Sequence, residues 1–125
     1  MRRKRAPGAG NARELKVMEV LVTEGWLCAS RRHIGGAGDI LAVRYETPNP
    51  YVSETVAMLI EVKSTTRSPW VTFGPDDRHD LVETAESHGA AAWLYWWPPR
   101  GKLQRIPANE FPADRRKALT PEVGS

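Results

Sequence analysis

Two short segments carry the side chains best suited to chemistry, residues 38–41 (Gly-Asp-Ile-Leu) and residues 60–63 (Ile-Glu-Val-Lys). Side chains alternate between the two faces of a strand, so Glu61 and Lys63 project to the same side, about 7 Å apart. A carboxylate and an ammonium group on a half-buried strand face cost free energy unless they are paired or bind an ion. With Asp39, the pattern predicts two carboxylates that hold a divalent metal beside a lysine that faces water or phosphate.

This set of groups suits the hydrolysis of phosphodiester bonds. The reaction needs an activated water, stabilisation of negative charge on the phosphate oxygens and help for the leaving group, and one or two Mg²⁺ ions can provide all three. We expect Asp39, Glu61 and the backbone carbonyl of Val62 to bind the metal, with Mn²⁺ able to substitute and no further cofactor. Lys63 would orient or deprotonate the attacking water, or stabilise the developing charge.

Glu14 lies on the predicted first helix, which has Asn11 as its N-cap, spans about residues 12–24 and ends at Gly25. The apolar face of this helix is formed by Leu15, Val17, Met18, Leu21 and Val22. At roughly 100° per residue, Glu14 lies near the middle of that face. A first-turn glutamate that served only the helix dipole would not need the buried side. We therefore predict that Glu14 is a functional carboxylate directed at the metal site.

Length and composition limit the class of protein. A chain of 125 residues with a net charge of +3 is long enough for one domain with a single core. It has no apolar run long enough to cross a bilayer, and its basic start does not lead into an apolar segment, so we expect no membrane partner and no signal peptide. The single cysteine, Cys28, cannot form an internal disulfide. We expect a reducing, cytoplasmic setting in a prokaryotic or phage-infected cell.

Clustered basic residues indicate phosphate binding. They occur at residues 2–5 (Arg-Arg-Lys-Arg) and at Arg31 and Arg32, which open a glycine-rich loop at residues 31–38. Glycines allow close approach of the backbone, and the planar guanidinium of arginine suits phosphate. An alternative stays open for each cluster: the arm can be a solubilising tail, and the loop can be an ordinary hairpin connection.

Apolar periodicity and turn signals predict the element order α-β-β-β-α-β-β. After the first helix come strands at about residues 26–30, 39–45 and 54–64, a helix at Pro75–Ser87, and strands at about residues 90–97 and 102–106. We expect an α/β domain with a central mixed sheet flanked by helices. It would span residues 11–107, between a flexible basic arm at residues 1–10 and a surface tail at residues 108–125.

Aromatic residues concentrate in two places, the fourth strand and the loop before the second helix. We expect Trp93, Trp96 and Trp97 in the core or in a dimer interface rather than in a base-stacking surface. Trp70 and Phe73, in the loop, could instead contact DNA or a second subunit.

The ordered set of motifs resembles a known family. A helix with Glu14, followed by a hairpin with Asp39 and the pair Glu61 and Lys63, resembles the PD-(D/E)XK nuclease superfamily. Within it, the chain is similar to the archaeal-type Holliday junction resolvases over about residues 11–106. The matching segments are residues 12–15, 25–26, 31–42, 60–64 and 81–90. Gly38 stands where the superfamily name has proline, and the segment at residues 46–54 is longer than in the compact archaeal enzymes.

This resemblance implies a restriction-endonuclease-like α/β fold and a Mg²⁺-dependent endonuclease that acts in DNA recombination and repair. Such a hydrolase works as a homodimer and makes paired, symmetric nicks in four-way DNA junctions. The catalytic positions would be Glu14, Asp39, Glu61 and Lys63, and the metal positions Glu14, Asp39, Glu61 and the carbonyl of Val62. DNA contacts are expected from Arg2, Arg3, Lys4, Arg5, Arg13, Arg31, Arg32, Ser64 and Arg67.

Two other functions fit the same residues. One is another nuclease of the superfamily, with a repair, restriction-like or flap-type substrate and the same catalytic site. The other is a DNA-binding module without cleavage, which the complete carboxylate–lysine set argues against.

Overall fold

The computed structural model describes residues 9–110 apart from residue 33, with side chains from residue 12 onward. Helix α1 spans Ala9–Thr23 and helix α2 spans Pro75–Ser87. The strands are β1 Leu27–Ser30, β2 Ile40–Asn49, β3 Val52–Lys63, β4 Ala91–Trp96 and β5 Gln104–Pro107, and a short 3₁₀ helix covers Pro69–Val71. This order confirms the predicted succession of helices and strands. The basic residues 2–5 and the tail residues 111–125 lie outside the described residues.

The five strands form one mixed sheet in the order β1-β2-β3-β4-β5, which confirms the predicted fold class. Neighbouring strands are antiparallel except β3 and β4, which are parallel. A parallel pair needs a crossover connection, and α2 supplies it. Neither helix of the described residues is long and apolar enough to cross a membrane.

The two helices cover opposite faces of the sheet because the side chains of β3 alternate. Ile60 points to the face covered by α1, where it packs in one core cluster with the fully buried Leu21. Leu59 points to the other face and packs in the core cluster beneath α2. By the same alternation, Glu61 and Lys63 lie on the α2 face.

Helix α1 differs from the prediction in its first residue and in the width of its buried face. It begins at Ala9, so Asn11 lies inside the helix and does not cap it; apolar periodicity defines helix ends poorly. Leu15 and Val22, predicted on the apolar face, are 55% and 60% exposed. The buried stripe is narrower than predicted and includes Glu14, which is 5% exposed.

The β2–β3 hairpin is longer than predicted. The predicted strands end at about residue 45 and resume at about residue 54, but β2 continues to Asn49 and β3 starts at Val52. A register shift just before Asn49 lets the strand pass Pro48. The side-chain oxygen of Asn49 accepts the N–H of Tyr51 at 2.9 Å and closes the turn.

One predicted contact surface is wrong, and the first residue of the predicted tail is buried. Trp70 and Phe73 are 1% and 2% exposed and pack with Leu59 beneath α2, so neither side chain is available to DNA or to a second subunit. The loop folds back as a 3₁₀ helix, and burying two large rings there removes much apolar surface from water. Ala108, assigned to the surface tail, is fully buried, and its N–H donates to the carbonyl of Ala92 at 3.0 Å.

Candidate active site

Three of the four predicted catalytic residues, Asp39, Glu61 and Lys63, meet at the end of the sheet where β2 begins and β3 ends. There, a cleft of about 380 Å³ lies between the sheet, the glycine-rich loop and α2. It is lined by Gly36, Ala37, Gly38, Asp39, Glu61, Lys63, Phe73, Asp77 and Asp80. The structure therefore brings Asp39, Glu61 and Lys63 together in one cavity.

Asp39 is fixed to the end of β3 by two hydrogen bonds. Its N–H donates to the carbonyl of Ile60 at 2.8 Å, and its Oδ2 accepts the N–H of Val62 at 2.8 Å. The bond from the N–H of Val62 to the carboxylate is charge-assisted, and such bonds orient a carboxylate strongly. Because the two bonds join Asp39 to the residues on either side of Glu61, the carboxyl groups of Asp39, just before β2, and of Glu61, on β3, lie beside the same cleft.

Glu61 and Lys63 form an ion pair in the cleft, with Nζ of Lys63 3.4 Å from Oε2 of Glu61. The pKa of Glu61 is nevertheless raised from 4.5 to about 7, first because burial disfavours the charged carboxylate and next because of the negative charge of Asp39. Lys63 opposes this shift, and the charge of Asp77 adds to it. The cleft therefore contains more negative charge than Lys63 balances, a condition that favours a bound cation.

The segment after Lys63 is attached to the end of β4. The N–H of Trp97 donates to the carbonyl of Lys63 at 2.8 Å, and the indole N–H of Trp96 donates to the carbonyl of Thr65 at 2.8 Å. Trp96 is fully buried, which confirms a core position for it, while Trp93 and Trp97 are half-buried against the core. These contacts fix the backbone that carries Lys63.

Gly38, next to Asp39, has a backbone conformation that proline cannot adopt. Its φ is +90°, whereas the proline ring fixes φ near −65°. A Cβ at this position would lie 2.5 Å from Cδ1 of Leu59. Glycine therefore suits this position, and proline is excluded from it.

We expect Gly38→Ala to destabilise the protein more than Gly35→Ala does. Gly35 also has a positive φ, +82°, but a Cβ there would meet no atom within 4 Å. Backbone strain alone costs about 1 kcal/mol, and the contact with Leu59 should add about 1–3 kcal/mol at Gly38. Urea denaturation of the two variants measures the difference, and equal losses would show that Leu59 moves aside at no cost.

Two carboxylates of the cleft were not predicted from the sequence, those of Asp77 and Asp80 on α2. Asp77 lies four residues before the buried Leu81, so both project from the same side of the helix. This spacing is the signal in the sequence that could have identified Asp77, as the same periodicity did for Glu14 on α1.

Glu14 does not line this cleft. It lies on α1, with the buried residues that face the opposite side of the sheet, and Nη1 of Arg32 is 3.3 Å from its Oε2. The buried position predicted from helix periodicity is confirmed, since the side chain is 7% exposed. The assignment of Glu14 to a metal stays a prediction.

The predicted DNA-contacting residues are described in part. The described members are Arg13, Arg31, Arg32, Ser64 and Arg67. The guanidinium of Arg13 lies 5.0 Å from the centre of the Trp97 ring, a cation–π contact at the end of β4. Arg67 follows β3 and is exposed. The structure thus leaves Arg67 accessible, whereas the side chain of Arg32 is turned inward to Glu14.

The cleft offers hard oxygen donors to a divalent cation, namely the carboxylates of Asp39 and Glu61. The carbonyl of Val62 as a further ligand stays a prediction. Among the residues that the structure describes, no three or more His, Cys, Asp or Glu side chains are arranged as a complete metal site. Mg²⁺ does not require one, because it is commonly held by one or two carboxylates and keeps several water ligands. The donor set therefore fits Mg²⁺.

The chain has the mixed α/β fold of a nuclease of known structure. That structure is Hjc, a Holliday junction resolvase from the archaeal hyperthermophile Archaeoglobus fulgidus, which this chain matches with a TM-score of 0.60 and 21% sequence identity. The match covers 82% of this chain and 75% of the archaeal chain. No protein-family model matches the sequence, and no curated protein matches it. At this identity, the likeness establishes the shared fold.

Proposed function

We propose that this protein is a Mg²⁺-dependent Holliday junction resolvase of the PD-(D/E)XK type. The observation that carries the proposal is the convergence of Asp39, Glu61 and Lys63 in one cleft, on a fold shared with a resolvase. The presence of two carboxylates and a lysine in one cleft favours cleavage over DNA binding alone.

In this proposal, Asp39, Glu61 and the carbonyl of Val62 hold Mg²⁺, or Mn²⁺ in its place, and Glu14 is a further candidate ligand from the α1 side. The ion, when bound, would supply Lewis-acid stabilisation of the charge on the scissile phosphate. Glu61 would give up its proton as the cation binds, because its raised pKa keeps part of the carboxyl protonated near neutral pH.

Lys63 would act on the reacting groups. Its ammonium group lies in the cleft, 3.4 Å from Glu61, on a strand end fixed by the bond from Trp97. On entry of the substrate, Lys63 would exchange its ion pair with Glu61 for a phosphate oxygen or the attacking water. There it would orient that water or stabilise the developing negative charge.

Branched DNA is the proposed partner. Arg13, Arg31, Ser64 and Arg67 would contact phosphates, together with the basic residues 2–5, and such contacts position a protein without reading sequence. Two opposed strands must be cut to resolve a four-way junction. We therefore propose a homodimer that presents one cleft to each strand, acting in the cytoplasm.

Cleavage of a labelled, immobile four-way junction beside a linear duplex of the same sequence tests the proposal. In Mg²⁺ we expect paired, symmetric nicks in the junction and an intact duplex, with no cleavage in EDTA. Cutting of both substrates would keep the nuclease site but replace the resolvase with a repair, restriction-like or flap-type nuclease. Binding of the junction with no cleavage of either substrate would favour a DNA-binding module.

A further inference from the structure

Arg32 and Glu14 form a buried ion pair between the glycine-rich loop and helix α1. Nη1 of Arg32 lies 3.3 Å from Oε2 of Glu14, and the two side chains are 11% and 7% exposed. A buried charge that loses a partner costs far more free energy than a surface ion pair contributes, so each of these charges stabilises the other. The contact joins the loop to α1.

The glycine-rich loop forms one wall of the cleft, which consists of Gly36, Ala37 and Gly38. Asp39 follows this wall directly, and the N–H of Arg31 closes the base of the loop by donating to the carbonyl of Asp39 at 2.8 Å. The loop contains three glycines with positive φ, and glycine restricts the backbone least. Arg32 directly follows Arg31 at this base, so its side-chain contact acts where the loop begins.

For Arg32, a phosphate contact competes with the pair with Glu14. Nearly nine-tenths of its side chain is already removed from solvent. Contact with DNA would draw the guanidinium away and leave the buried carboxylate of Glu14 without this partner. Arg67 is exposed and can meet a phosphate at no such cost.

We infer that Arg32 is a positioning residue that acts through Glu14. The ion pair ties the glycine-rich loop to α1 and thereby holds the wall of the cleft, and Asp39 beside it, against the end of β3. The inference rests on the proposed function, because the position of the wall affects catalysis only if the cleft is the active site. It gives Glu14 a role on the α1 face that needs no direct contact with a metal.

A double-mutant cycle tests the pair with the variants Arg32→Gln, Glu14→Gln and the two combined. Arg67→Gln, which removes an exposed arginine, is the matched control. The measurements are the unfolding equilibrium in urea and single-turnover cleavage at saturating four-way junction in Mg²⁺. We expect each single variant of the pair to unfold more readily and to cleave about tenfold to 100-fold more slowly. The cleavage rate of the double variant should fall by a much smaller factor than the product of the factors for the two single variants.

The salt dependence of junction binding, measured without divalent cations, separates positioning from DNA contact. Loss of one phosphate contact lowers the slope of log K against log salt concentration by about one. We expect this change for Arg67→Gln and an unchanged slope and affinity for Arg32→Gln, whose defect should appear in the cleavage rate. A slope lowered by about one in Arg32→Gln, or single losses that simply multiply in the double variant, would overturn the inference.

The unfolding measurement separates this inference from the proposed function. If the wild-type protein neither binds nor cuts junctions, the proposed function fails, while coupling in the unfolding equilibrium still reports whether Arg32 and Glu14 hold each other. If Arg32→Gln does not fold alone, recovery of a folded protein by adding Glu14→Gln supports the pair, and no recovery contradicts it.

Discussion

Asp39→Asn is expected to slow cleavage of a four-way junction by on the order of 10³-fold or more, with junction binding retained. The substitution removes one of the two carboxylates proposed to hold Mg²⁺, and losing a cation that stabilises phosphate charge adds several kcal/mol to the activation barrier. The fold should survive, because asparagine keeps a side-chain oxygen that can accept the N–H of Val62, as Oδ2 of Asp39 does at 2.8 Å.

The matched control for this loss is Asp76→Asn. It removes the same charge from the first turn of α2, at a position that does not line the cleft. Single-turnover rates, with junction binding measured separately by gel shift, distinguish the two variants. Cleavage by Asp39→Asn at the wild-type rate would remove Asp39 from the mechanism, and loss of both binding and cleavage would indicate unfolding.

The part of the site carried by β3 was predictable because it depends on local geometry. The period of two along a strand places Glu61 and Lys63 on one face, and their charged atoms are 3.4 Å apart in the structure. Helix α2 has the predicted bounds, since Pro75 and Gly89 are strong signals for the start and end of a helix. Where one local rule dominates, the sequence alone is enough to predict the position of a side chain or the end of an element.

The remaining features depend on contacts between segments that are distant in the chain. Periodicity predicted that Glu14 is buried, but it contains no information that Arg32 would meet it from the loop after β1. Similarly, the polar composition of the segment after β3 favoured an exposed loop, and only the space beneath α2 explains why Trp70 is 1% exposed. The orientation of Asp77 toward Glu61 likewise follows from how α2 packs on the sheet.

Glu61→Gln is expected to stabilise the protein at pH 8 without divalent cations, although it should abolish cleavage. The pKa of Glu61 is raised from 4.5 to about 7 on folding, mainly by burial, so the folded state binds the proton more tightly than the unfolded chain does. The resulting contribution to stability is complete below about pH 4.5 and is lost as the pH rises through about 7. Above that pH, wild type carries an unfavourable buried charge that glutamine lacks.

The gain in the free energy of unfolding for Glu61→Gln should therefore be near zero at pH 4 and reach on the order of 1–3 kcal/mol at pH 8. Urea denaturation at both pH values measures it, with Glu19→Gln, an exposed position on α1, as the matched control. Mg²⁺ at pH 8 should reduce the difference in unfolding free energy between Glu61→Gln and wild type, because it stabilises only the protein that retains the carboxylate. If Glu61→Gln gains the same unfolding free energy at both pH values, the stabilisation comes from packing. If the variant is less stable than wild type at pH 8, the ion pair with Lys63 outweighs the cost of burying Glu61.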